Sequence, residues 1–395
     1  MKFLILCSSL DLRQPLSSTP SWWQLMKGLY EVGVEVVATT YQGPAVESLW
    51  WQAAPNPVRW QGDLFKALRD TVRRVRGPAR PVQVDADAAE SLSDRLVRYA
   101  AQTLIAPRWR NYLDRLLTDQ PDIAAVLILT APLNHLRGVA RYLTEKHRKP
   151  VLYYDGDLPA SLPQFRGFAS GFRIYQGADL TEYAAMLGNS IKGVLYLRQM
   201  GARSVHVFHY AADPAVWSRV DVPAQDIDAF FYGHGQEYRE QWVQALIAAP
   251  SLRLPQARFA VRGTHLGDLG RAEALPYLSF SGLREYACRA KLNLVITRQA
   301  HASVYGSSTA RPFELAALGA CMVSNPYEGV QEWFEPDREI VVVNSPAEAV
   351  ERIGWLLDHE AERQAIGAAA RERLLKEHTY RHRAEQLVGI VGEYL

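Results

Sequence analysis

Apolar residues along this chain come in short unbroken runs that alternate with stretches of helical spacing, and that alternation predicts an α/β protein. The first run, Phe3 to Leu6, has the continuous apolar character of a parallel strand covered on both faces. "PSWWQLMKGLYEVG" (20–33) then places its apolar residues on one helical face, with Pro20 near the start and Gly33 at the end, and "VEVVATTY" (34–41) is the next strand. This is a β-α-β unit whose loop, 8–19, lies where open α/β sheets hold their ligands, although it carries no G-x-G-x-x-G.

The alternation continues. Residues 86–118 read as helix, "AAVLILT" (124–130) as strand, 134–146 as helix and "PVLYYD" (150–155) as strand. A helix from about Ser190 to Met200 leads to the strand "SVHVFHY", after which "AADPAVWSRVDVPAQDID" breaks the periodicity and Pro214 and Pro223 mark a linker. A second series starts at "DAFFYGHG" (228–235): helix 237–248, strand "RFAVRG", helix 282–290, strand "LNLVIT", helix 311–318, strand "CMVSN", and a largely helical remainder. The expectation is two doubly wound domains, 1–212 and 226–377, joined by a linker at 213–225 and followed by a final helix, 378–395. Two such sheets with a cleft at their carboxyl ends suit a two-substrate transferase that excludes water.

Composition narrows the class of protein. A chain of 395 residues exceeds what one core organises, and 48% hydrophobic with 22% charged residues is ordinary for a globular protein. A net charge of +2 gives no reason to expect a nucleic-acid partner. Residues 66–80, "KALRDTVRRVRGPAR", form a local exception with one Lys and five Arg against one Asp; they read as a solvated helix face or as a weak membrane-surface contact. Cys7, Cys288 and Cys321 have no metal-ligand spacing and their odd number argues against a disulfide framework, so a soluble protein of the reducing cytoplasm is expected.

Candidate chemistry sits at strand ends. "YYDGDLP" places Asp155 and Asp157 around Gly156, a spacing found at divalent-cation sites and equally in ordinary turns. In this two-domain pattern the expectation is that one aspartate, Asp155, is an acceptor ligand or base while the other caps the turn. Strand "LNLVIT" feeds a loop, 297–310, that ends in a helix starting near Arg311 or Pro312. The helix N-terminus can receive a diphosphate against Gly306, Ser307, Ser308 and Thr309, flanked by Arg298 and Arg311 as phosphate clamps or structural ion-pair partners. Gly233 and Gly235, around His234 and ahead of Arg239, make either a phosphate-cradling turn or a plain tight one. Trp22, Trp23, Trp50 and Trp51 offer flat apolar faces to a sugar, or fill the core.

Residues 290–345, "AKLNLVITRQAHASVYGSSTARPFELAALGACMVSNPYEGVQEWFEPDREIVVVNS", resemble the donor-binding half of GT-B glycosyltransferases of the group 1, CgeB-like (spore maturation protein-like) type. The likeness lies in R-x-F-E, the small-residue helix to Gly319, the strand ending at Asn325, "EGVQEWFEP" and the trailing "AEAVERIGWLLD"; "LGNSIKGVLYLRQMGARSVHVFHYAADPAVW" is similar to the run before the interdomain linker of such enzymes. The resemblance implies two Rossmann-like domains facing a central cleft, with the last helix crossing back to the first domain. It implies transfer of a hexosyl group from a UDP-, dTDP- or GDP-sugar to a sugar, lipid-linked or natural-product acceptor, with retention and with neither metal nor cofactor. It further implies that Glu314 holds the ribose hydroxyls, while Arg239, Arg298 and Arg311 stabilise the departing diphosphate. Gly306 stands where the wider retaining pattern has a second acid, which leaves open a catalytically degenerate nucleotide-sugar-binding protein, and a GT-B sugar-nucleotide epimerase is a third reading.

Overall fold

The computed structural model describes residues 1–10, 21–62, 92–165, 174–235 and 239–395. The basic stretch 66–80 and most of the loop after the first strand lie outside these residues. The chain divides into two compact units: Met1–Arg13, Leu25–Phe208 and Ala384–Leu395 form the first, Gln14–Gln24 and His209–Arg383 the second.

The first unit is built on seven parallel strands: β1 Lys2–Cys7, β2 Glu35–Thr40, β3 Gln52–Ala53, β4 Ile123–Leu129, β5 Val151–Asp155, β6 Ala185–Gly188 and β7 Val205–Val207. Their order across the sheet is β3-β2-β1-β4-β5-β6-β7, so the direction of winding reverses between β1 and β4. The apolar runs of the sequence are these strands, and Phe3 to Leu6, Val126 to Leu129 and Val151 to Tyr153 are all buried. Helix α1, Ser21–Glu31, precedes β2 and supplies Leu25, Met26 and Leu29 to the interior. A continuous helical stretch follows β3, namely α2 Leu92–Ala100, a π-turn over Ala101–Ile105 and α3 Ala106–Asp119. Ala106, Trp109, Leu113 and Leu117 face the core from α3 at helical spacing. The helix expected over 134–146 begins only at Val139 (α4, Val139–His147), because a 3-10 turn occupies Leu133–His135 and Gly138 takes φ 83. Helix α5, Gly193–Gln199, precedes β7. Among the chain's last residues, Tyr394 returns to this sheet: its hydroxyl lies 2.7 Å from His206 Nε2 and donates to Ser204 Oγ at 2.6 Å.

The second unit repeats the plan with β8 Ile227–His234, β9 Phe259–Thr264, β10 Glu273–Ala274, β11 Ala290–Val295, β12 Met322–Ser324 and β13 Val341–Val342, all parallel. The order β10-β9-β8-β11-β12-β13 puts its reversal between β8 and β11. Between these strands run α6 Glu240–Val243, α7 Ala249–Arg253, α8 Phe280–Arg289, α9 Gln299–Ala302 and α10 Ala310–Ala317, and after them α11 Pro346–Asp358 and α12 Glu360–Glu377; α13, Tyr380–Gly392, belongs to the first unit from Ala384 onward. Helix starts follow the expected chemistry: Ser279 accepts from Gly282 N, and Ser345 accepts from Glu348 N with Pro346 at the first helical position. Trp217, within the stretch read as a linker, is wholly buried in this unit's core with Phe230, Tyr232 and Leu283. Among the described residues no helix is long and apolar enough to cross a membrane.

Candidate active site

At a reversal of strand order two neighbouring chains leave the sheet in opposite directions, and a crevice opens at their carboxyl ends. In the second unit those ends are Gly233 and His234 of β8 and Ile296 after β11. Asn293 lies beside Phe230 in the register, so three residues further along each strand Ile296 and Gly233 stand level.

Arg311 reaches this point from the first turn of α10. Its guanidinium lies 4.6 Å from the Tyr232 ring centre and 5.2 Å from that of Phe231, a stacked cation–π arrangement. Gly233 makes the approach possible, since a Cβ built there would stand 2.9 Å from Arg311 Nη2. Among the described residues the Nε of Arg311 is buried without a hydrogen-bond partner and no carboxylate forms an ion pair with the side chain. A guanidinium so placed presents donors that an anion can satisfy.

Two further arginines converge on the β11 side. Arg239 precedes α6 and donates through Nε to the Ile296 carbonyl at 3.1 Å, which ties the turn after β8 to the end of β11. Arg298 donates through Nε to His301 Nδ1 at 2.9 Å. Burial, reinforced by the charges of Arg298 and Arg239, holds His301 well below its ordinary pKa, so it is a neutral acceptor and both cations share its surroundings. Next to Arg298, the Thr297 hydroxyl is buried with no hydrogen-bond partner among the described residues, while its amide donates to Asn325 Oδ1 at 2.7 Å.

Other expected site residues are differently placed. Glu314 is 1% exposed, and its Oε2 accepts from the Tyr232 hydroxyl at 2.8 Å; as it stands the carboxylate anchors the ring on which Arg311 rests instead of facing solvent. The loop expected to wrap a diphosphate turns inward. Gly306 N donates to Glu328 O at 3.0 Å, Ser307 Oγ donates to Val304 O at 2.6 Å, and Ser308 Oγ accepts from Tyr210 N at 3.0 Å, 3.2 Å from His209 Nδ1. The Gly306 amide and both serine side chains are thus taken up by the fold. Thr309 is the N-cap of α10, half-buried and without a side-chain capping bond. Gly235 serves backbone packing, because a Cβ there would come within 2.1 Å of the His265 carbonyl oxygen.

Asp155, expected as an acceptor ligand or base, lies inside the first unit. Its side chain is fully buried at the end of β5, where Oδ1 accepts from Asp157 N at 2.9 Å and Oδ2 accepts from Tyr175 Oη at 2.5 Å and from Ser161 Oγ. A carboxylate satisfied by two hydroxyls and an amide inside the domain holds the turn together. Among the described residues no group of three His, Cys, Asp or Glu is arranged to hold a metal ion.

Sequence reasoning did not single out Tyr232, Thr297 or the pinning role of His301. Thr297 carried a signal in retrospect, as a polar residue at the end of an apolar strand on the loop expected to bind ligand.

Two parallel sheets of this order with their flanking helices define the GT-B fold, and solved structures agree with it across the whole chain. Sucrose-phosphate synthase from Thermosynechococcus elongatus superposes with a TM-score of 0.64 at 14% identity, covering 100% of this chain and 99% of the other. The UDP-forming α,α-trehalose-phosphate synthase of Burkholderia vietnamiensis gives 0.64 at 12%, with 99% of each chain covered. Anabaena HepE, solved in complex with UDP, gives 0.59 at 12%, with 100% of each covered. At these identities the likeness is one of fold. In sequence, residues 239–389 match the family described as glycosyl transferase-like. Comparison with curated proteins gives no match.

Proposed function

We propose that this protein is a glycosyltransferase that moves a hexosyl group from a nucleoside-diphosphate sugar to an acceptor hydroxyl. The observation that carries the reading is Arg311, a guanidinium with a buried unpartnered Nε and no carboxylate, held at the strand-order reversal within the matched region. In the reaction the bond from the anomeric carbon to the diphosphate oxygen breaks and its electron pair leaves with the diphosphate. The acceptor oxygen bonds to the same carbon, and its proton departs with the diphosphate. Arg311, with Arg239 and Arg298 beside it, stabilises the charge gathering on the leaving group, and a preorganised cation in a partly buried crevice does this without reorganising. Glu314 acts through Tyr232, and His301 through Arg298; both are positioning residues. The UDP in the structure of HepE and the UDP-2-fluoroglucose in a structure described as trehalose-6-phosphate from E. coli support a uridine donor. R-x-F-E at 311–314 supports a place in the CgeB-like group, and with it retention and metal independence.

The test is a thermal-shift titration with UDP, dTDP and GDP, followed by transfer assays with and without EDTA. One nucleotide is expected to raise the melting temperature of the native protein, and Arg311→Ala to abolish both that shift and transfer at an unchanged unliganded melting temperature. Wild-type turnover by the Arg311 variant would refute the assignment, and loss of activity in EDTA would refute metal independence. Gly306 favours one second reading, a nucleotide-sugar-binding protein without turnover, which binding without transfer would reveal.

A further inference from the structure

The first unit has its own reversal of strand order, between β1 and β4, and the residues that leave the flanking strands there meet. Tyr41 directly follows β2 and His135 closes the 3-10 turn after β4; β2 and β4 are the two neighbours of β1. The Tyr41 hydroxyl and His135 Nδ1 are 2.9 Å apart, so the pair bridges the sheet's carboxyl edge across the end of β1.

Both partners are fixed from behind. Asn56 Nδ2 donates to the Tyr41 carbonyl at 3.1 Å and the Tyr41 ring stacks on the buried Trp109, centroids 6.0 Å apart at 17°. Asn134, immediately before the histidine, is held on three sides: its amide donates to Ile174 O at 3.1 Å, its Nδ2 to Gln176 O at 3.2 Å, and its carbonyl accepts from Gln102 Nε2 at 2.8 Å. Buried Leu133 and Leu136 anchor the same turn. Rotamers held by such a supporting shell are the mark of a side chain that has to be in one place.

With Nδ1 tied to Tyr41, the half-buried imidazole has one nitrogen left, Nε2, which makes no hydrogen bond among the described residues. Burial pushes His135 down to about 4, so the ring is neutral, and burial raises the Tyr41 phenol so that it keeps its proton. A neutral ring offers at Nε2 one donor or one acceptor, according to which way the Tyr41 hydroxyl points. A carboxylate or phosphate gains no charge attraction from it, whereas a hydroxyl, which both donates and accepts, fits either tautomer.

We infer that Tyr41 and His135 form a binding site for a neutral hydroxyl compound at the carboxyl edge of the first sheet, with His135 Nε2 meeting the hydroxyl and Tyr41 fixing the ring. Taken with the proposed transferase, on which this extension rests, the compound is the acceptor and His135 orients its attacking oxygen.

Ligand-observed NMR (saturation transfer) on the full chain with a panel of neutral methyl glycosides tests the site without any turnover. The wild type should give signals from at least one glycoside. His135→Gln and Tyr41→Phe should each reduce them at least fivefold, Tyr41→Phe while keeping its ring on Trp109, and both variants should retain the UDP-induced melting shift. No glycoside signal from the wild type, or equal signals from wild type and both variants, overturns the inference. Where transfer is measurable, His135→Gln should raise the acceptor KM at least tenfold and leave the donor KM within twofold, whereas equal changes in both would show a structural strut and overturn it. A wild-type protein with no nucleotide shift but a His135-dependent glycoside signal would remove the donor reading and leave this site standing.

Discussion

At the scale of the residue, what the sequence made legible was charge at strand ends. Arg239, Arg298 and Arg311 each stand within a few residues of where an apolar run stops, and all three converge on the β8 and β11 ends. Their partners were not legible, because Glu314 reaches Tyr232 across 82 residues and Tyr41 reaches His135 across 94. Small polar residues were ambiguous for another reason: Asp155, Ser307 and Ser308 look the same in sequence whether a turn folds outward toward a ligand or inward onto its own backbone. The Tyr232–Glu314 bond has a measurable consequence. Tyr232→Phe removes one donor to a buried carboxylate, which costs about 1–3 kcal/mol where nothing replaces it. Urea denaturation should therefore show a lower midpoint at unchanged slope, and a midpoint equal to that of the wild type would mean that Glu314 is satisfied without Tyr232.

At the scale of the element, continuous apolar runs predicted the central strands well, since strands buried on both faces leave little room for polar residues. The three two-residue strands β3, β10 and β13 escaped notice; each is two residues long, and Glu273 and Ala274 of β10 are exposed. The helical stretch 92–119 was legible as helix but its π-turn was not. That turn absorbs one extra residue, so the outward Leu92, Leu96 and Tyr99 are continued by Leu104 where a regular helix would offer Thr103. Helix α12 shows how closely two elements can be fitted. A Cβ built on Gly367 would lie 2.2 Å from the carbonyl oxygen of Gly319, where α10 ends with φ 68. Gly367→Ala thus gains helix propensity but must push α12 away, and overpacking of this kind costs about 1–3 kcal/mol. A drop in melting temperature is the expected result, and an increase would show that the crossing has slack.

At the scale of the whole molecule, both sheets share the order of a dinucleotide-type Rossmann fold although neither carries its glycine fingerprint, which is why the fold was readable from alternation and not from motif. Three histidines, His301 and His378 buried and His135 half-buried, contribute to the response to acid: His135 is held down to about 4, His378 to about 3, and His301 well below 6.5, in each case chiefly by burial. His378 is neutral beside Arg383, whose Nη2 donates to its Nδ1 at 3.0 Å. Below the ordinary histidine pKa the unfolded chain binds protons that the folded one refuses, so stability falls as pH falls through about 6.5 and is unaffected by these groups above about 7.5. Each histidine contributes at most about 1.4 kcal/mol between pH 7.5 and 5.5. The second unit, with two of them, should lose more than the first, as unit-resolved hydrogen exchange at the two pH values can measure; equal protection at both would contradict the burial. The division of the chain has a practical corollary. The polypeptide passes between the units at 13/14, 24/25, 208/209 and 383/384, so neither unit is one stretch of sequence. No single cut releases either one whole: a fragment ending at Phe208 lacks the twelve residues Ala384–Leu395 that return Tyr394 to the edge of its sheet, and a fragment starting at His209 lacks Gln24, whose Oε1 accepts from Asp213 N at 2.7 Å.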